Sequence, residues 1–141
     1  MSFPLPRRML VLMLALAAVP VLADGARSPE ALAMAFVQAF RAGDIDALMS
    51  LHSHDDVHDL PRVRGAWRSL LRDYRLAGYR VADLSGAERA RLAEGQRNPT
   101  LLPIRKLVAQ LNAAHSGEQR VLERYIGAEN GRFYFVTPDA R

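Results

Sequence analysis

The spacing of the apolar residues changes once along this chain, near Tyr79, and that change most constrains its fold. Before Tyr79, apolar side chains recur every three or four residues, as they do along one face of a helix. After Tyr79 they alternate with polar residues or form β-branched and aromatic runs, which are typical of strands. Helices followed by strands indicate an α+β domain, with N-terminal helices packed on an antiparallel sheet of about four strands.

Three helices are predicted before this change. Ser28 is placed to cap the first helix, and Gly43 is placed to end it. Asp44 can cap a short second helix. The third helix is predicted over Arg62–Leu76, with Gly78 as its terminator.

Four strands are predicted in the second half of the chain. They cover 79–84, 104–113, 121–129 and 132–137, and the connection at 85–98 has some helical content around 87–93. Asn130-Gly131 lies between the last two strands, and both residues tolerate the positive φ of a type I′ turn. The sequence therefore predicts a β-hairpin there.

The first 23 residues have the pattern of a secretory signal peptide. Arg7 and Arg8 precede an unbroken apolar run at 9–18, and Pro20 interrupts the sequence shortly before Ala23. The apolar run is shorter than the roughly 20 residues that a membrane-spanning helix needs. We expect a signal peptide over 1–23, cleaved after about Ala23, and a single domain over 24–141 that is periplasmic or secreted without a stable membrane span.

Composition excludes several classes of function for the mature domain. The chain has no cysteine, so it can form no disulfide, no thiol nucleophile and no lipid anchor on cysteine. Without Arg7 and Arg8, its 19 basic residues fall to 17, against 15 acidic ones. This near balance does not favour nucleic acid as a partner.

A polar segment at 51–59 contains a candidate metal site. His52, His54, Asp56 and His58 could together supply nitrogen and oxygen ligands to a divalent metal such as zinc, copper or nickel. The alternative is a turn after the second helix that exposes these side chains to solvent. No other cofactor is expected, because the chain has no Gly-rich phosphate loop, no nucleophile elbow and no His-Glu-x-x-His helix.

Several short motifs resemble the nuclear transport factor two-like (SnoaL-like) superfamily. They are the helix corner at 43–48, Asp55-Asp56-Val57, Gly65 near the start of the third helix, Tyr125-Ile126-Gly127 and the segment 130–134. The resemblance implies a cone, in which a curved antiparallel sheet wraps around a long N-terminal helix and leaves a cavity between sheet and helices. Members include isomerases and hydrolases as well as ligand-binding and dimerising domains, so the fold alone does not decide function.

In such a cone, aromatic side chains would line the cavity. The candidates are Phe36, Phe40, Trp67, Tyr74, Tyr125 and Phe133. Aromatic residues at helical spacing also commonly form plain core. Asp83 could face inward as a catalytic acid, and its alternative role is a solvent-facing carboxylate near a strand end.

Three functions remain open from the sequence. We favour an exported, non-catalytic domain that binds a small apolar ligand or a protein partner through its cone cavity or sheet face. The alternatives are a cofactor-independent isomerase or hydrolase that uses an acid in the cone, and a metal-binding protein using 52–58. The outer sheet face could also form a homodimer, with Arg124, Arg132 and Tyr134 at or near the interface.

Overall fold

The structure, a computed structural model, describes residues 25–53, 60–95 and 102–136. The helices are α1 (Pro29–Ala42), α2 (Ile45–Ser50), α3 (Leu60–Asp73) and α4 (Gly86–Gly95), and the strands are β1 (Tyr74–Asp83), β2 (Pro103–Ala113), β3 (Gln119–Glu129) and β4 (Arg132–Val136). The strands form one antiparallel sheet in the order β1-β2-β3-β4, which confirms the α+β class. The predicted signal peptide lies outside the described residues.

The first two helices begin and end where their capping residues predict. Ser28 Oγ accepts a hydrogen bond from the Ala31 amide at 3.0 Å, which satisfies one of the free N–H groups at the start of α1. Gly43 ends α1 in the left-handed conformation, with a φ of 66°. Asp44 Oδ1 then accepts from the Ala47 amide at 3.0 Å and begins α2.

The third helix ends earlier than its apolar spacing predicts. The predicted range Arg62–Leu76 is wrong at its end, because α3 stops at Asp73 and β1 begins at Tyr74. Tyr74 fits both a helical and an alternating period, and pairing with Ala113 of β2 decides between them. Gly78 therefore does not end a helix; it lies within β1, where the pairing register shifts between Leu76 and Gly78.

The two faces of the sheet pack against different parts of the chain. On the core face, Leu107, Ala109 and Leu111 of β2 are fully buried and join Phe36 of α1 and Trp67 of α3 in one hydrophobic cluster. Side chains alternate between faces along a strand, so the intervening residues of β2 point to the opposite face. We call that opposite side the outer face.

Arg124 lies on the core face, which corrects its expected position near an outer interface. It pairs with Leu107 and is in phase with Leu122 and Ile126, which are buried in the core cluster. The two-residue period of β3 leaves no other orientation for this side chain. A guanidinium group therefore lies between two apolar side chains of the core face.

The connection between β1 and β2 contains a full helix, α4, so the helices are not confined to the first half of the chain. Ser85 Oγ accepts from the Glu88 amide at 3.1 Å at the start of α4. Glu88 also contacts Lys106 Nζ at 3.0 Å, and Arg91 donates to the hydroxyl of Tyr125 at 3.1 Å. Lys106 and Tyr125 belong to the outer face, so α4 lies against that face.

Backbone hydrogen bonds cover the edge of β4. The Phe135 amide donates to the Leu51 carbonyl at 2.8 Å, and the Ser53 amide donates to the Phe135 carbonyl at 3.0 Å. Ala26 makes a similar reciprocal pair with Phe133. The segment after α2 is thereby fixed to the sheet, with His52 at its centre.

The hairpin prediction is confirmed, because Asn130 and Gly131 connect β3 to β4 with φ values of 51° and 72°. Gly131→Ala should lower the free energy of unfolding by roughly 1–2 kcal/mol, the cost of left-handed backbone in a residue with a Cβ. Gly65→Ala, inside α3, should raise it by roughly 0.5–1 kcal/mol.

Urea denaturation of both variants checks this pair of predictions. An added Cβ meets no atom within 4 Å at either position, so only backbone conformation separates the two substitutions. Equal effects at the two positions would contradict the assigned turn and helix.

Candidate functional site

His52 stands at the junction of helices and sheet with its side chain almost fully enclosed. It is 4% exposed, and its Nε2 accepts a hydrogen bond from Trp67 Nε1 at 2.9 Å. Its ring centroid lies 5.8 Å from that of Trp67 and 5.8 Å from that of Phe135, with edge-on geometry in both pairs. The bridge between 51–53 and β4 fixes the backbone, so the imidazole has a defined position.

Burial determines the charge of His52. Loss of solvent, as the larger cause, and the positive charge of Arg124 together lower the pKa of its imidazole to about 4. The ring is therefore neutral near pH 7. Since the indole of Trp67 can only donate, the accepting Nε2 carries no proton and Nδ1 carries the remaining one. That Nδ1–H has no hydrogen-bond partner among the described residues.

Arg124 lies against the same indole. Its guanidinium carbon is 5.0 Å from the centroid of the Trp67 ring, within the range of a cation–π interaction. Burial lowers the pKa of Arg124, and the nearby charge of Arg120 lowers it further. Its Nη1 donates to the Glu123 carbonyl at 3.0 Å, but no carboxylate in the described part of the chain forms an ion pair with it. We call His52, Trp67 and Arg124 the Arg124 site.

Three of the six predicted cavity residues lie together. The ring of Phe36 is 5.5 Å from that of Phe40 and 5.9 Å from that of Trp67, and all three side chains are buried. These rings fill space between α1 and α3 by contact with one another.

The other three predicted cavity residues are dispersed. Tyr74 is part-buried at the start of β1, where the Arg120 guanidinium lies 5.5 Å from its ring centroid. Phe133 packs part-buried at the edge of the core, whereas Tyr125 lies on the outer face with α4.

A cavity does open elsewhere, beside the C-terminal end of α1. It has a volume of about 400 Å³ and is lined by residues 40–43, 71 and 74–76. Of the predicted cavity residues it includes Phe40 and Tyr74, without Trp67. It is therefore separate from the Arg124 site.

Asp83, the predicted catalytic acid, lies at the end of β1 with 80% of its side chain exposed. Its Oδ1 is 3.1 Å from Arg105 Nε, although the angle between them does not make a hydrogen bond. Arg105 also contacts Glu30 of α1 at 2.7 Å. Asp83 thus belongs to a surface ion-pair group, away from His52 and Trp67.

The predicted metal site cannot be followed beyond one residue, because His54, Asp56 and His58 lie outside the described residues. The remaining candidate, His52, has its Nε2 occupied by the indole N–H of Trp67. No group of three His, Asp or Glu side chains over 25–53, 60–95 and 102–136 is arranged to hold a metal ion. Metal binding through this segment stays a prediction.

The outer face, expected to form a homodimer, is partly occupied by α4. Lys106 lies between Glu88 of α4, at 3.0 Å, and Glu123 of β3, at 3.1 Å. Both acids raise the pKa of Lys106, with the hydrogen bond to Glu88 as the largest cause. A second subunit pairing through this face would have to pack around α4 or displace it. Dimerisation stays a prediction.

No helix in the described ranges is both long enough and apolar enough to cross a bilayer.

Sequence reasoning missed the inward orientation of Arg124. A signal was present, because Leu122, Arg124 and Ile126 share one phase of β3. What the sequence could not supply was the contact with Trp67 from α3, 57 positions earlier in the chain by residue number.

No family model, curated protein or solved structure matches the chain. The resemblance to the nuclear transport factor two-like superfamily therefore stays a prediction drawn from its motifs.

The neutral state of His52 predicts how stability depends on pH. In the unfolded chain its imidazole takes up a proton below about 6.5, whereas in the folded chain it does so only below about 4. Between these values the unfolded state binds more protons, so the free energy of unfolding falls as pH falls. The loss from pH 7 to pH 4 should reach about 3 kcal/mol from this group.

Urea titrations at several pH values, followed by Trp67 fluorescence, measure this loss. His52→Gln should flatten the dependence between pH 6.5 and pH 4. An unaltered slope in His52→Gln would show that another group causes the loss.

Proposed function

We propose that the chain is an exported, non-catalytic binding domain of the nuclear transport factor two-like type, which binds a small ligand or a protein partner at the Arg124 site. The site lies where the core face of β3 meets α3 and the segment 51–53. The buried indole of Trp67 contacts the Arg124 guanidinium there, and Arg124 supplies a half-buried positive charge.

This proposal depends on the positive charge of Arg124, which has no carboxylate partner among the described residues. Removing a guanidinium group from water costs free energy, which proteins usually offset with a carboxylate and hydrogen bonds. Arg124 has the aromatic contact with Trp67 and one backbone carbonyl, but no carboxylate from the described residues. Such local departures from good packing chemistry concentrate at functional sites. An anionic or acceptor group from a bound molecule would complete the site.

The chemistry of His52 supports binding rather than catalysis. A general base at neutral pH needs a pKa near 7 and an accessible lone pair. Burial holds the pKa of His52 at about 4, and its only lone-pair nitrogen already accepts from Trp67. Asp83 is exposed and ion-paired at a distant strand end. The described residues therefore favour recognition over proton transfer.

Native mass spectrometry of the protein, isolated without denaturation from the periplasm of a Gram-negative host, tests this function. We expect a mature chain beginning at Asp24 and a population that carries an additional bound mass. Arg124→Met should lose that mass because the thioether side chain carries no charge or N–H donor. Arg132→Met, which removes the same charge from β4, is the matched control and should retain it.

Two results would count against the proposal. A mature mass that includes residues 1–23 would contradict export with cleavage after about Ala23. A bound mass retained equally by wild type and Arg124→Met, or absent from wild type, would contradict binding at the Arg124 site.

A further inference from the structure

The cavity beside the C-terminal end of α1 has the size and composition of a small-molecule site. Its volume is about 400 Å³, and ligand pockets commonly enclose roughly 300–1,000 Å³. Its apolar and aromatic wall residues come from α1, α3 and β1 and are Phe40, Leu71, Tyr74 and Leu76. The rest of its wall consists of Arg41, Ala42, Gly43 and Arg75. Among the described residues that line the cavity there are thus two basic residues and no acid.

Arg75 lies at this wall with only part of its guanidinium group in use. Its Nη1 donates to the Leu71 carbonyl at 3.3 Å and to the Tyr74 carbonyl at 3.1 Å, and both of these residues also line the cavity. The two bonds hold the guanidinium group against the end of α3. Its Nε and Nη2 groups have no acceptor among the described residues, so one edge of the group is available.

The nearby Arg72 shows what this edge of a guanidinium group binds. Its Nε donates to Asp73 Oδ1 at 2.9 Å, and its Nη2 donates to Asp73 Oδ2 at 3.1 Å. Such paired bonds match the two coplanar oxygens of a carboxylate. Arg75 has the same two donors, and no carboxylate of the described residues forms an ion pair with it.

We infer that this cavity binds a small organic acid, with the carboxylate on Nε and Nη2 of Arg75 and the apolar body beside Phe40 and Leu76. The inference goes beyond the proposed function, because the cavity shares no residue with the Arg124 site. It assigns the chain a second binding site with a ligand of defined charge.

The basic residues around the cavity favour an anion. Arg41 and Arg75 both belong to its wall. The guanidinium carbon of Arg120 lies 5.5 Å from the ring centroid of Tyr74, which is another wall residue. Three cations beside one cavity give it a positive potential, which attracts an acid and repels an amine.

Negative groups near the cavity are already engaged. Two helices end there, and free carbonyls at a helix end would favour a cation. The Phe40 carbonyl, however, accepts from the Gly43 amide at 3.1 Å, and the Leu71 carbonyl accepts from Arg75. The carboxylate of Asp44, which follows Gly43, accepts a backbone amide at the start of α2. These bonds reduce the attraction for a cation and leave the arginine charges dominant.

The first experiment compares ligands on the wild-type protein. Phenylacetate is titrated alongside its neutral amide phenylacetamide, the amine phenethylamine, acetate, and phenylmethanesulfonate, which has the same charge but a tetrahedral anionic group. Binding is followed by the NMR signal of the Gly43 amide, which lies in the cavity wall. We expect phenylacetate to bind at least fivefold more tightly than the amide and than acetate, and more tightly than the sulfonate. The amine should not bind.

The second experiment tests the guanidinium edge of Arg75. Arg75→Gln should weaken phenylacetate binding at least tenfold. Arg75→Lys keeps the charge but loses the paired donors, and it should weaken binding at least threefold. Arg80→Gln, later in β1 and outside the cavity wall, is the matched control and should change binding less than twofold.

Arg41→Gln gives a measurement that does not disturb the bonds of Arg75 to α3. It removes one wall charge from an exposed position at the end of α1, and it should weaken phenylacetate binding about twofold to threefold at low salt. Thermal unfolding of all four variants shows whether a loss of affinity follows a loss of stability. A purely structural Arg75 would lower stability in Arg75→Gln without changing the preference for acid over amide.

Several results would overturn the inference. They are absence of phenylacetate binding, equal binding of the acid and its amide, equal binding of the acid and the sulfonate, and equal affinity in Arg75→Gln and Arg80→Gln. A shift of the Trp67 indole N–H signal with no change at Gly43 would place the acid at the Arg124 site and overturn it as well. Failure here leaves the proposed function intact if native mass spectrometry still shows an Arg124-dependent ligand.

Discussion

The hydrogen bonds that join Leu51 and Ser53 to Phe135 hold this structure's helical and sheet layers in register. They satisfy backbone groups on the edge of β4, and they place His52 beneath α3, where its Nε2 meets the indole of Trp67. Burial in this position, together with the charge of Arg124, keeps the imidazole neutral, and the indole N–H sets its tautomer. The charge state of the site thus follows from a pairing between two distant segments.

Arg124 shows how the regular alternation of a strand can place a charged side chain beside the core. The alternation of β3 is simple, and it points three side chains in the middle of the strand toward the core. Two of those side chains are Leu122 and Ile126, and the third is a guanidinium. Its aliphatic stem can pack with them while its head meets Trp67. The resulting charge and the unsatisfied Nδ1–H of His52 distinguish this region from plain core.

Much of the fold could be predicted from the sequence, but little of the candidate site. The capped α1 and α2 and the Asn130-Gly131 hairpin appeared as expected, since each depends on residues within a few positions of one another. Trp67 was among the candidate residues because it is aromatic and lies on a predicted helix next to the expected cavity. His52 was chosen as a metal ligand, and its hydrogen bond with Trp67 had no sequence signal. Spacing along a strand could suggest the phase of Arg124 but not its neighbour across the core.

The sequence by itself determined the ends of α1, the start of α2 and the hairpin at Asn130-Gly131, because capping and turn residues act over short distances. Only the tertiary structure decided that α3 ends at Asp73, since pairing of Tyr74 with Ala113 outweighs a helical period that Tyr74 also fits. It likewise decided that α4 lies on the outer face and that His52 is uncharged. These outcomes depend on burial and on contacts between segments far apart in the chain, and no local pattern carries that information.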